Sequence, residues 1–464
     1  MPAPDAVLSA LEARFEQTTQ ELIALARIPG VSAAGFDPAH VERSALAVAD
    51  LLREIGLEEV ELLRLPGTHP YVVGEWLGAG PQAPTVVLYA HHDVQPPGRE
   101  AYWETPAFEP TIREDGRLYG RGVVDDKAGI LVHAAAIRAW LQAEGRLPVN
   151  VKVLVEGEEE IGSAHLAEFL RAHRERLAGD VIVLSDTANL EAGLPSITTS
   201  LRGLVSIDVT VRALDHPLHS GMWGGAVPDA ATALSVILGR LVDERGECRV
   251  PGLDRDVPPL SELERQALAA LPFEESAFRA DAGMVVGSRF AGDPGASVYE
   301  KLWRRPTVAV TALEAMPLAE AANQLIAEAR ARVGVRLAPG QSPERVRDVV
   351  MQELRRDPPW GVDVELECET LAAGWHTEPT GPAFEAARRA LALGFGREAV
   401  FIGCGGSIPF VAPFAEVLGG VPALLLGLED PICNAHGENE SLHLGDFRRA
   451  ARAAAHLLAE LASE

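Results

Sequence analysis

Positive charge is scarce in this chain: 41 lysines and arginines stand against 67 aspartates and glutamates, for a formal net charge of -26. A field of that sign repels nucleic acid and anionic membrane surfaces, and it favours solubility. Lysine itself is confined to Lys127, Lys152 and Lys301. Cysteine is as sparse. Cys248, Cys368, Cys404 and Cys433 show no Cys-x-x-Cys spacing and are too few to staple 464 residues, so a reduced, cytoplasmic protein is expected. No apolar stretch approaches the roughly 20 residues that a membrane-spanning helix needs. Residues 1–33 lack a basic start followed by an apolar core; they are unlike a signal peptide and read as an amphipathic helix.

Hydrophobic residues at 47% and charged residues at 23% are ordinary for a globular protein, which excludes disordered and fibrous classes. The length exceeds one ordinary core and favours two domains. After the opening helix, Pro38 to Gly56 predicts a second, and EVELLRL and YVVGEWL read as strands. The alternation continues with apolar runs at 85–90, 151–156 and 181–186, separated by helices over about 127–144 and 163–176. That is an α/β pattern with a mainly parallel sheet. From about Arg202 the pattern changes: LVSIDVTVRA alternates apolar and polar residues, as a half-exposed antiparallel strand does. A helix over about 228–243, the strands TVAVTAL, ARARVGVRLA and VDVELECE, and a helix over 342–356 complete a smaller α+β set. A Pro- and Gly-rich segment from about 250 to 300 has no assignable period. From Thr380 the α/β character returns. The expected architecture is a catalytic domain (1–202 and 376–464) interrupted by an inserted α+β lid or dimerisation domain with an antiparallel sheet (203–375).

Several apolar runs stop abruptly on metal-ligand residue types. TVVLYAHHDVQP ends on His91 and Asp93, VKVLVE leads into Glu159 and Glu160, VIVLSD ends on Asp186, and ALLLGLED leads into a loop carrying His436. In open α/β sheets the ligand site lies beyond the carboxyl ends of the strands, so such residues can converge although distant in sequence. Asp125 and Asp126 sit between glycines just before a helix, where an aspartate could bridge two cations. Imidazoles and carboxylates are the donor set of catalytic zinc sites, and an excess of carboxylates suggests two metals. Each piece alone has a bland reading. A histidine after a strand is more often a satisfied core residue, an EEE run a solvated face, and a DD pair a helix cap. Their conjunction at strand ends is what favours the metal reading.

Taken together, AHHDVQP, LYGRGVVDDKAG, EGEEEIGS, Ser185-Asp186, LHSG at 218–221, GGSIP at 405–409 and NAHGENE at 434–440 resemble the dinuclear-zinc exopeptidases and deacylases. That family includes carnosinase, cytosolic dipeptidase, glutamate carboxypeptidase, acetylornithine deacetylase, succinyl-diaminopimelate desuccinylase and aminoacylase. The resemblance spans nearly the whole chain and is nearest to the carnosinase-type dipeptidases. It implies that His91 and Asp186 hold one zinc, that Glu160 and His436 hold the other, and that Asp125 bridges them. Cobalt or manganese could substitute. It further implies Asp93 as the carboxylate that orients His91, Glu159 as general base, and a cis peptide between Asp125 and Asp126. His219 would help hold the oxyanion in the partner subunit of a homodimer formed through the inserted domain. Arg336, Gly405, Gly406, Ser407 and Asn323 would contact substrate. Two departures stand out. Cys404 occupies a position where many dipeptidases of the family carry an acid, and Ala327 one where proline is common.

The expected activity is metal-dependent hydrolysis of the amide bond of dipeptides or short peptides with a free C-terminal carboxylate. The attacking water would lie between the zincs and be activated by Glu159. An N-acyl or N-carbamoyl amino acid deacylase with the same site is the alternative. A catalytically dead binding protein is disfavoured because no ligand position is lost, and a Cys404 nucleophile because nothing in the sequence lowers that thiol's pKa.

Overall fold

The computed structural model describes residues 1–406, 408 and 411–463. The chain divides into two compact units. The first comprises Met1–Thr199, Glu378–Ile402 and Phe410–Glu464; the second comprises Ser200–Thr377 and Gly403–Pro409.

In the first unit the buried apolar runs become the middle of a mixed sheet. Asn150–Glu156, Thr85–His91, Val181–Ala188 and Ala423–Glu429 lie side by side in that order and run parallel. Tyr71–Trp76 pairs antiparallel on one side, followed by Glu58–Leu63, and Ser196–Leu201 pairs antiparallel on the other. The central strands are buried on both faces: every residue of Val86 to His91 is buried, as their unbroken Val/Leu content requires. Asp5–Ala26, Lys127–Glu144, Pro382–Phe395 and Leu444–Leu461 supply the helical layer against this sheet. The opening helix buries Val7, Leu11, Phe15 and Leu22, the three- and four-residue spacing of one helix face.

The register fixes the ends of the strands. His91 lies opposite Glu156, and Glu429 opposite Ala188, so the parallel strands finish along one edge. The helix Lys127–Glu144 starts from Asp126, whose side chain accepts from the Gly129 N–H at 3.2 Å, and ends at Gly145 with a left-handed φ of 68°. The aspartate pair therefore sits just before the helix, with Asp126 as its N-cap. The Asp125–Asp126 peptide is cis.

The second unit is built on an antiparallel sheet ordered Thr307–Glu314, Glu328–Leu337, Gly203–Arg212, Asp363–Ala372. Val205, Ile207, Val209 and Val211 alternate inward and pack with residues of the helices Ala230–Leu238 and Pro343–Arg355. The opposite face carries charged pairs, Arg332 with Asp208 at 2.6 Å and Arg212 with Glu328 at 2.7 Å. The segment from 250 to 300 holds three short helices, Glu262–Ala270, Glu275–Asp281 and Val298–Trp303. The helix expected over 228–243 stops at Leu238, where Gly239 follows. The helix expected over 163–176 is broken into Leu166–Ala172 and Arg174–Leu177 around His173. Among the described residues no helix is long and apolar enough to cross a membrane.

Candidate metal centre

At the carboxyl edge of the parallel strands, two imidazoles and several carboxylates meet. His91 Nε2 lies 2.9 Å from one oxygen of Asp125, and His436 Nε2 lies 2.9 Å from the other. The two oxygens of one carboxylate thus face two different histidines. His436 Nε2 is also 3.3 Å from Glu160, and His91 Nε2 is 3.9 Å from Asp186. Donor atoms of His91, Asp125 and Glu160 lie within 4.8 Å of one another, as do those of His91, Asp126 and Asp186, and those of Asp125, Asp186 and Glu429.

The surrounding hydrogen bonds aim these groups. His91 Nδ1 lies 3.0 Å from the Asp93 carbonyl and 3.4 Å from its carboxylate. A proton on Nδ1 leaves the Nε2 lone pair turned toward Asp125. Asp93 is fully buried, and beyond His91 it accepts from Ser32 Oγ at 2.6 Å and from the N–H groups of Glu159 and Glu160 at 3.2 and 3.1 Å. One carboxylate therefore orients both a histidine and the turn carrying Glu159 and Glu160. Gln95 holds Glu160 in addition, its Nε2 reaching Oε2 at 2.8 Å.

The loop that delivers Asp125 is clamped by Glu440. This buried carboxylate accepts from Arg121 Nη1 at 2.7 Å and from the N–H groups of Gly122, Val124 and Asp125 at 3.1 to 3.3 Å. Gly122 has a left-handed φ of 77°, and a Cβ there would stand 2.5 Å from Val94, so the loop requires glycine. His436 has a φ of 64°, uncommon for a residue with a Cβ and most often met at functional sites.

Burial and mutual repulsion set the electrostatics of these groups. Burial, and then neighbouring carboxylates against the pull of His91, push Glu159 up to about 8. Burial and nearby acids likewise raise Glu160 and Asp186, and lift Glu429 to about 8. Burial also raises Asp125, but its contacts with His436 and His91 outweigh this and hold it low. His436 is pushed up to about 11 by Asp125 and Glu160. Carboxyls that burial and mutual repulsion drive toward protonation are a set that divalent cations would neutralise, and imidazole plus carboxylate suits zinc, cobalt or manganese. The residues present fit two such ions sharing Asp125.

The remaining expected residues belong to the second unit. His219 is exposed and pairs with Gln324 across two short strands, while the Ser220 N–H donates to the Asn323 carbonyl at 2.9 Å. The Gly221 N–H donates to His219 Nδ1, so the neutral ring carries its proton on Nε2 and presents a donor there. Arg336 lies on the strand Glu328–Leu337, and Gly405 and Gly406 follow the strand Val400–Cys404. Ser407 lies outside the described residues. Sequence reasoning gave Ser32, Asp126, Glu429 and Glu440 no role of their own. Asp126 and Glu440 stand inside the motifs already singled out, and Glu429 ends an assigned strand; Ser32 had no local signal.

A two-unit α/β protein with imidazoles and carboxylates gathered at its strand ends is, as a class, a metal-dependent hydrolase. Residues 87–460 match the family model of peptidase family M20/M25/M40, so the chain belongs to that family and is a metallopeptidase. It is 32% identical over 420 residues to the cysteinylglycine-S-conjugate dipeptidase of Corynebacterium striatum, covering 90% of this chain and 89% of that one. Over 475 residues it is 28% identical to the Cys-Gly metallodipeptidase of Schizosaccharomyces pombe, covering 99% and 98%. Among solved structures it superposes on human carnosine dipeptidase 1 with a TM-score of 0.87 at 27% identity, over 100% of both chains.

Proposed function

We propose that this protein is a dipeptidase, hydrolysing the amide bond of dipeptides or short peptides with a free C-terminal carboxylate by means of two zinc ions. The observation that carries the reading is Asp125, whose two oxygens face His91 and His436 separately. His91 and Asp186 would hold one ion, Glu160 and His436 the other, and Asp125 both; cobalt or manganese can serve in place of zinc. Such ions supply charge that polarises the scissile carbonyl and lowers the pKa of the attacking water. Glu159 takes the proton of that water and passes it to the leaving amine. Asp93 keeps His91 and the Glu159 turn in register. His219, with its Nε2–H free to donate, stabilises the negative charge on the tetrahedral oxygen across a homodimer formed through the second unit. Arg336, the Gly405–Gly406 turn, Ser407 and Asn323 receive the substrate's carboxylate and backbone. The site of action is the cytoplasm.

The names of the relatives support the dipeptide assignment, since each acts on a dipeptide by its description. The test is release of free amino acids from a dipeptide panel by protein loaded with zinc or cobalt, with and without chelator. Chelator-sensitive cleavage is expected; cleavage of N-acetyl amino acids but of no dipeptide would overturn the assignment.

A further inference from the structure

In the second unit two guanidinium groups share one corner. Arg202 is 8% exposed and its contacts are almost all to backbone. Its N–H donates to the carbonyls of Gly406 and Cys404 at 3.1 and 3.3 Å, and its Nε to that of Gly405 at 3.2 Å. Its Nη1 reaches Thr307 Oγ1 at 3.1 Å and the Arg305 carbonyl at 3.5 Å. Arg202 thereby clasps the glycine turn, with Nη2 left over. Thr307 lies directly opposite Arg336 in the sheet register, which brings the Arg202 head to the Arg336 position. Arg336 is half-buried. Among the described residues neither guanidinium makes an ion pair with a carboxylate.

Burial, and next the Arg336 charge, hold the Arg202 guanidinium down to about 10, and burial lowers Arg336 as well. Two buried or half-buried cations side by side are costly unless an anion joins them. Gly405 keeps the corner open: a Cβ there would stand 3.3 Å from Arg202 Nη2. A single carboxylate engaged by the free fork of Arg336 would still leave one positive charge uncompensated.

We propose that the Arg202–Arg336 corner selects a leaving residue with a side-chain carboxylate as well as an α-carboxylate, so that dipeptides ending in glutamate or aspartate are the preferred substrates. The proposal rests on the peptidase reading above, with Arg336 as the carboxylate anchor. Arg202 then acts both as a specificity residue, through Nη2, and as the clasp of the turn.

The experiment compares kcat/KM of the zinc-loaded protein for Ala-Glu, Ala-Gln and Ala-Ala. Ala-Glu should exceed its neutral isostere Ala-Gln by about tenfold or more, the usual worth of a hydrogen bond to a charged group. Because Arg202→Gln can disturb the turn, the decisive variant is Cys404→Glu. It places a carboxylate beside both guanidiniums and should bring the Glu/Gln ratio close to one, whereas Cys404→Gln should keep it. Equal rates for Ala-Glu and Ala-Gln in the wild type would overturn the proposal while leaving the dipeptidase reading intact. A preference that survives Cys404→Glu would overturn it too, since its source would lie elsewhere. Failure to cleave any of the three, together with cleavage of N-acetyl amino acids but of no dipeptide in the wider panel, would remove the dipeptidase reading, and this one with it.

Discussion

The two units of this chain gather charge of opposite sign. In the first, Asp125, Asp126, Glu159, Glu160, Asp186 and Glu429 gather about His91 and His436, and burial drives Glu159, Asp186 and Glu429 upward with help from neighbouring carboxylates. In the second, Arg202 and Arg336 stand together, and among the described residues no carboxylate pairs with either. A folded protein concentrates unbalanced buried charge at a cost, and such places tend to be functional sites. The difference between the units is then one of sign: the first suits cations, the second an anion. Other buried charges show the contrast. Arg121 with Glu440 and Arg117 with Asp430 are closed ion pairs at 2.7 and 2.8 Å.

The largest break expected in this comparison is at Glu159. Glu159→Gln removes the proposed proton carrier but no proposed metal donor, so turnover should fall by about 10²- to 10⁴-fold with metal content unchanged. Steady-state kinetics beside elemental analysis would check both halves. Next is the closed pair. Glu440→Ala strands Arg121 and frees the N–H groups of Gly122, Val124 and Asp125, and should cost about 3–5 kcal/mol as read from the denaturant midpoint. Loss of zinc affinity should accompany it. Asp93→Asn weakens the hold on His91 and on the Glu159–Glu160 turn, and competition with a chromophoric chelator should show zinc affinity reduced by about 10- to 100-fold. The smallest effect belongs to the positive corner. Arg336→Gln should raise KM for dipeptides by about tenfold and leave kcat nearly unchanged, the signature of lost binding shared by ground and transition states.

Much of the first unit was legible in the sequence because its signals are local. A β-branched run buried on both faces is continuous in sequence, and the residue that follows such a run falls at the sheet edge, as His91 and Glu159 do. The strands and helices around the catalytic motifs accordingly lie where periodicity placed them. The proposed role of Arg202 was not legible, because it depends on Thr307 and Gly405, each about a hundred residues or more away, meeting it across a sheet corner. Ser32 escaped for the same reason, its only signal being a bond to Asp93. The 250–300 segment failed differently. Its helices have six to nine residues, too short to show a period, although Ser261 and Glu264 form a capping box that its Ser-x-x-Glu spacing could have revealed.

The claim on which the rest depends is that Asp125 joins two cation sites. Zinc bound per chain, measured by elemental analysis after equilibration and gel filtration, tests it most directly in wild type and in Asp125→Ala. Two ions per chain in the wild type, and one or fewer in the variant with activity lost, is the predicted result. A wild type that never binds more than one ion, or a variant that keeps both, would contradict the account.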